Sequence, residues 1–144
     1  MRQPNRTRLF SGPYKAPQFK VGQVVRCSIQ GPVTIGGVSN GEIPWPRVRR
    51  SLVVYGDLEI AIRTESALAV AHWWGVTDTT VTNWRRSLGV ERYNAGTVKL
   101  RRASYDDPER SRKMRAAKLG KRRAPLTAES KEKIRAALKR YYGT

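Results

Sequence analysis

The chain is 144 residues long and carries 29 Lys and Arg against 11 Asp and Glu, a formal net charge of +18, which leaves room for one compact domain plus an extension but not for two large cores. So cationic a chain repels itself unless a polyanion is its usual companion, and this points to nucleic acid. A single cysteine, Cys27, and a single histidine, His72, exclude a disulfide framework, a zinc finger and a Cys/His nucleophile pair, while the lack of an apolar run near the ~20 residues of a membrane span, or of an apolar signal core in MRQPNRTRLF, leads us to expect a cytoplasmic protein with no membrane contact.

Residues 1–20 place Arg2, Arg6, Arg8, Lys15 and Lys20 among Pro4, Gly12, Pro13 and Pro17. That composition buries little, so a flexible basic arm is expected. Over residues 21–56 the runs VGQVVRCSI, VTIGGVS, EIPWPRV and SLVVY read as a small β-meander of three or four strands, with turns at Gly31-Pro32 and Ser39-Asn40-Gly41. Proline cannot donate to a ladder, so Pro44 and Pro46 should hold the Trp45 segment at a sheet edge or outside the sheet, with Trp45 as a packing residue. From Asp57 the apolar period lengthens from two to about three and a half, and residues 57–90 predict three helices. Asp57 should cap the first. The second runs from Glu65 to Gly75. Thr77 should cap the third, with Asp78 set against its positive end and Gly89 as its stop. A linker is expected over 91–107 and a basic tail with two short helices over 108–144.

The joint between the second and third helices carries the strongest pattern. Ala71 is a small residue where two helices would cross, and Gly75 can accept a positive φ in the turn. Val70, Trp74, Val76, Val81 and Trp84 fall at inward offsets, whereas Thr77, Asp78, Thr79, Thr82, Asn83 and Arg86 fall on the opposite face. Residues 67–86 resemble the helix-turn-helix DNA-binding family at each of these offsets, and the resemblance implies that the helix from Asp78 to Leu88 enters a major groove. Asn83 suits a bidentate pair with adenine, Arg86 with guanine, and Thr79 and Thr82 suit phosphate oxygens or a thymine methyl. Thr77 and Arg85 complete the expected set of DNA-binding residues here. Trp73 and Trp74 also suit a stacking platform for unpaired bases, but helical spacing assigns Trp74 and Trp84 to the core and turns Trp73 towards the meander or a partner. His72 reads as structural or solvent-facing.

In the tail a short motif recurs. Glu109, Lys113, Met114, Arg115, Ala116 and Ala117 align with Glu129, Lys133, Ile134, Arg135, Ala136 and Ala137 at an offset of 20. Each copy predicts one helix, the first opened by Asp107-Pro108 and ended by Gly120, the second capped by Thr127. Residues 98–144 hold 16 basic and 5 acidic residues, so Arg112, Lys113, Arg115, Lys118, Lys121, Arg122, Arg123, Lys133, Arg135 and Lys139 are expected to meet phosphates. The segments SRKMRAAKLGKRRAP and LTAESKEKIRAALKR resemble the type 3 nuclease-associated modular domain found beside homing endonuclease domains, which implies contact with the minor groove and backbone. The fold class expected is therefore α+β: a small N-terminal β-meander, a three-helix helix-turn-helix core and an extended basic C-terminal tail with two short helices.

The nuclease motifs that accompany such modules, GIY/YIG, HNH and LAGLIDADG, do not occur. Asp57, Glu59, Glu65, Asp106, Asp107 and Glu109 read as residues of caps and exposed helix starts. No catalytic residue, metal or cofactor is expected, so the protein is not an enzyme in this reading. Double-stranded DNA is the expected partner, bound sequence-specifically by a regulator or mobile-element targeting module at the bacterial nucleoid. Two alternatives stay open. One is a structural RNA-binding or ribosome-associated protein, although the deep, narrow major groove of A-form RNA does not admit a helix; the other is the DNA-targeting part of a split nuclease, with a separate nuclease or recombinase chain as partner. Either a dimer on a palindrome or a monomer aided by its tail is compatible with one such motif per chain.

Overall fold

The computed structural model describes residues 5–121 and 124–143. The fold is α+β, with five short strands, β1 (Val24–Cys27), β2 (Gly31–Thr34), β3 (Gly37–Val38), β4 (Pro46–Val48) and β5 (Ser51–Leu52), followed by helices α1 (Gly56–Thr64), α2 (Ala67–Trp74), α3 (Asp78–Ser87), α4 (Ala95–Tyr105), α5 (Pro108–Lys118) and α6 (Ala128–Tyr142). It divides into two compact units, residues 1–108 and 109–144.

The strands form two antiparallel sheets rather than one meander: β1 pairs with β2, and β4 lies between β3 and β5. Gly31-Pro32, expected as a turn, belongs to β2, where Pro32 stands opposite Arg26. In a two-strand ladder each strand is an edge, so a missing N–H is tolerated there. Pro46 likewise opens β4, the central strand. It does so without breaking the ladder, because the first strand residue need not donate, and its carbonyl accepts from Val53 N at 2.9 Å. Trp45 is the packing residue expected. It is 1% exposed, its indole N–H donates to Val53 O at 2.7 Å, and its ring lies edge-on to Trp74 at 5.8 Å. Further contact between the β3–β4 connection and α2 comes from Ile43 N donating to Trp73 O at 2.9 Å and from Gly41, where an added Cβ would stand 2.6 Å from the Trp74 carbonyl carbon.

Three helices follow as the periodicity predicts. α1 buries Leu58, Ala61 and Ile62, an i, i+3, i+4 stripe. Its N-cap position is Tyr55, and Asp57 instead sits in the first turn and accepts from Lys15 N at 3.0 Å. Ser66 caps α2, accepting from Ala69 N, and Gly75 ends it in the left-handed region at φ 66°, a conformation glycine takes without a Cβ penalty. Thr77 caps α3 by accepting from Thr80 N.

Two segments expected to be irregular are built into this unit. Residues 91–107 hold α4 instead of a linker. Asn94 is its N-cap and accepts from Thr97 N at 3.0 Å, and the same side chain donates to Arg63 O at 3.0 Å and Glu65 O at 2.7 Å. Arg2 and Pro4 of the expected arm lie outside the described residues. The rest of that stretch is tied down: Phe10 N and Ser11 N donate to the Glu65 carboxylate at 2.9 and 2.7 Å, and Tyr14 Oη donates to it at 2.9 Å. Trp73 Nε1 donates to Thr7 O at 2.8 Å, which turns this indole to the N-terminal segment. Glu65, read from sequence as an exposed helix-start residue, is fully buried. An interior carboxylate is tolerable when its lone pairs are met by donors, and here three are aimed at it.

In the second unit, α5 and α6 bury no residue. α6 is capped by Thr127 and ended by Gly143 at φ 63°. Glu109–Lys113 and Glu129–Lys133 form equivalent i, i+4 ion pairs at 2.9 and 2.7 Å, so the repeat at offset 20 recurs as a repeated side-chain pairing. Exposed pairs of this kind contribute little to stability. Among the described residues no helix is long and apolar enough to cross a membrane.

Candidate nucleic-acid interface

The local sequence of α3 separates its two faces. Val81, Trp84 and Arg85 point inward, and Asp78, Thr79, Thr82, Asn83, Arg86 and Ser87 are exposed. A three-residue connection, Gly75 to Thr77, sets its direction relative to α2. Within the connection Val76 N donates to Ala71 O at 3.0 Å, and Trp74 and Val70 are fully buried. α3 is therefore held along one side by the core of the first unit and presents the other to solvent.

The exposed side chains differ in what they have left to offer a ligand. Asn83, Arg86 and Thr79 make no side-chain hydrogen bond among the described residues, so their polar atoms are available. Thr77 is engaged: its hydroxyl oxygen accepts from Thr80 N at 3.2 Å and pairs with the Thr80 hydroxyl at 2.9 Å. Thr82 donates its hydroxyl proton to Asp78 O at 2.9 Å, which leaves its methyl group and oxygen lone pairs. Asp78 is turned back on its own helix, accepting from Thr79 N at 2.9 Å.

Arg85 does not belong to the solvent face. It is 5% exposed, and its guanidinium donates to Ile62 O at 3.3 Å, to Arg92 O at 3.5 Å and to Glu65 O. The carbonyls of Ile62 and Glu65 belong to the C-terminal end of α1, where orphan acceptors and the negative end of the helix dipole favour a cation. Burial holds the Arg85 guanidinium below the ordinary arginine range. The spacing contained the signal, since 81, 84, 85 and 88 trace one helical stripe and place Arg85 with Val81 and Trp84.

Beside the exposed face of α3 stand residues passed over in the sequence because they fell in the expected linker. Thr82, Arg85, Arg86, Val90 and Arg92 line a hollow of about 450 Å³. An adjoining hollow of about 340 Å³ shares Thr82, Arg85 and Arg92 and extends along α4 past Tyr93 to Arg101, with Asp78 also in its wall.

In the second unit the predicted contacts Arg112, Lys113, Arg115, Lys118, Lys121, Lys133, Arg135 and Lys139 are all exposed. Lys113 and Lys133 are engaged with their glutamates. Arg122 and Arg123 lie outside the described residues. Comparisons of the chain with protein-family models, with curated proteins and with solved structures find no match.

Proposed function

We propose that this protein is a non-catalytic, sequence-specific double-stranded DNA-binding protein of helix-turn-helix type, with α3 as the recognition element. The observation that carries the reading is the outward face of α3: Asn83 and Arg86 are exposed and their side chains make no hydrogen bond among the described residues, on a helix whose other side is fixed by Val81 and Trp84. An amide and a guanidinium in that state are the groups suited to paired donor–acceptor contacts on adenine and guanine edges. The +18 charge supplies the sequence-independent attraction to phosphate, and recognition-helix contacts supply register. In this reading α5 and α6, the segments resembling nuclease-associated repeats, lie along backbone and minor groove. Their few apolar side chains make contact with DNA, rather than a core of their own, the main source of their order. The protein then acts at the bacterial nucleoid as a regulator or as the targeting module of a mobile element, alone or with a separate nuclease or recombinase chain.

The test is selection from a random duplex library, followed by titration of the recovered duplex against a structured RNA competitor at several salt concentrations. With six to ten phosphates neutralised, affinity should fall by about 10³ to 10⁵ between 50 and 200 mM salt. A flat salt response, or displacement by RNA as readily as by unlabelled duplex, would reject the reading.

A further inference from the structure

The hollows beside α3 have an unbalanced charge. The first is lined by Arg85, Arg86 and Arg92, together with Thr82 and Val90, and by no acidic residue among the described residues. Arg85 is buried at this hollow, and its three guanidinium nitrogens each donate to a neutral backbone carbonyl, so among the described residues no carboxylate pairs with its charge. In a partly desolvated site that charge acts on a ligand more strongly than it would through bulk water. Around the rim, Arg92 and Arg101 are both drawn to one ring: their guanidinium carbons lie 5.7 and 5.2 Å from the centroid of Tyr93, within cation–π range. Tyr93 itself is 54% exposed. Gathering two like charges on one exposed ring is unfavourable in isolation and is relieved by an anion between them.

The supporting framework is rigid. Asn94, adjacent to Tyr93, is bound to the end of α1 through Arg63 O and Glu65 O, and Gly96 packs so closely that an added Cβ would stand 2.4 Å from Thr64 O. The backbone carbonyl of Arg92 is one of the three acceptors of Arg85. The rim is thus tied to the same buried arginine that anchors α3, and it stands at a constant offset from Thr82 and Arg86 on the helix.

We infer that the groove between α3 and the Val90–Arg101 segment is a phosphate-binding site for the DNA backbone, in which Arg92 and Arg101 are the cations and Tyr93 positions both. This deepens the assignment of α3 as a recognition helix and rests on it. Backbone phosphates flanking the groove that α3 enters would be held here, which sets how far the helix inserts and which base pairs Asn83 meets. Asp78 lines the adjoining hollow together with Tyr93 and Arg101; its Oδ1 accepts from Thr79 N, and its negative charge favours the Arg92 end of the groove for the phosphate, since the first hollow does not include Asp78.

The experiment uses the full chain with two probes, the duplex recovered by selection and a random-sequence duplex of equal length, and follows binding against salt. Arg92→Ala/Arg101→Ala should weaken both by roughly tenfold or more and reduce the salt slope by about 2, one for each cation withdrawn from the phosphate backbone. Tyr93→Leu leaves net charge unaltered and should still weaken both probes several-fold, because the arginines lose their shared support. Phosphate-ethylation interference on the selected duplex should reveal positions that block the wild-type chain and cease to matter for the arginine double variant. Asn83→Ala should retain the full salt slope. If the double variant binds duplex DNA with wild-type affinity and slope, or if Tyr93→Leu binds like wild type, the groove is not a phosphate site even though α3 reads DNA. If the wild-type chain itself shows no preference for duplex DNA over a structured RNA hairpin, the reading of α3 fails, and the groove assignment falls with it.

Discussion

Arg85, on α3, donates from Nη2 to the carbonyl of Glu65 at the end of α1, and the carboxylate of that same Glu65 receives the amides of Phe10 and Ser11. One short stretch of chain, the Thr64–Ser66 corner between α1 and α2, thereby collects the N-terminal segment, α3 and, through Asn94, α4. The helix that presents Asn83 and Arg86 is held by this corner as well as by its apolar stripe.

Arg85→Ala should therefore act on stability rather than on readout. It strips a charged donor from the buried carbonyls of Ile62 and Glu65, and a destabilisation of about 2 to 4 kcal/mol is expected from the missing bonds and the acceptors left behind. Urea denaturation monitored by tryptophan fluorescence measures it. A variant as stable as wild type, but selectively impaired on DNA, would return Arg85 to the recognition surface.

Gly96→Ala tests whether α4 belongs to the folded unit. The new methyl would meet Thr64 O at 2.4 Å and Glu65 Cα at 2.5 Å, backbone atoms that cannot rotate away. The expected cost is about 1 to 3 kcal/mol or more, with faster amide exchange at Thr97 and Val98 as α4 separates from the corner. Unchanged exchange there would contradict the close approach.

Glu59 provides a pH dependence. Its carboxylate accepts from the Ser28 hydroxyl and from Arg63 at 3.0 and 3.2 Å, and these bonds, Ser28 foremost, hold its pKa below the ordinary glutamate value. A depressed folded-state pKa adds stability at pH values above the unfolded pKa, and this is lost as pH falls through the folded one. The stability gap between wild type and Glu59→Gln should thus be widest near neutrality and shrink steadily on acidification below the usual glutamate range. A gap that widened with acid would reverse the assigned sign.

On DNA, two classes of substitution should separate. Asn83→Ala is expected to cost about 1 to 3 kcal/mol on the selected duplex and to relax preference at one base pair. Lys113→Ala and Lys133→Ala should weaken selected and random duplexes alike and lower the salt slope by about 1 each. Both lysines must leave an exposed ion pair, a small cost. Identical profiles for the two classes would remove the distinction between readout and grip.

Much of α1 to α3 was legible because the information is local. Thr77 caps the amide three residues ahead, Gly75 takes the positive φ, and Val81 and Trp84 repeat at the helical period, all within a few residues of one another; the second helix, expected from Glu65, starts at Ala67 with Ser66 as its cap. The expected linker failed for the opposite reason. α4 has one buried residue, Gly96, so its helical period carries no apolar stripe to recognise, and what holds it is an asparagine contacting carbonyls about thirty residues earlier in the chain. Pro46 misled in a similar way: a general rule about proline in sheets could not say that only its carbonyl would be needed.

The sequence alone determined the charge, the helix starts and stops around the Gly75 turn, and the identity of the polar residues opposite Val81 and Trp84, because each depends on composition or on neighbours one or two turns apart. Tertiary structure decided which of two adjacent arginines is available: Arg86 faces solvent, whereas Arg85 is spent on the end of α1. It also decided that Glu65 is interior and that Arg92, Tyr93 and Arg101 stand beside α3. Those outcomes depend on which backbone carbonyls and amides the fold leaves unpaired, and these are known only once distant segments have met.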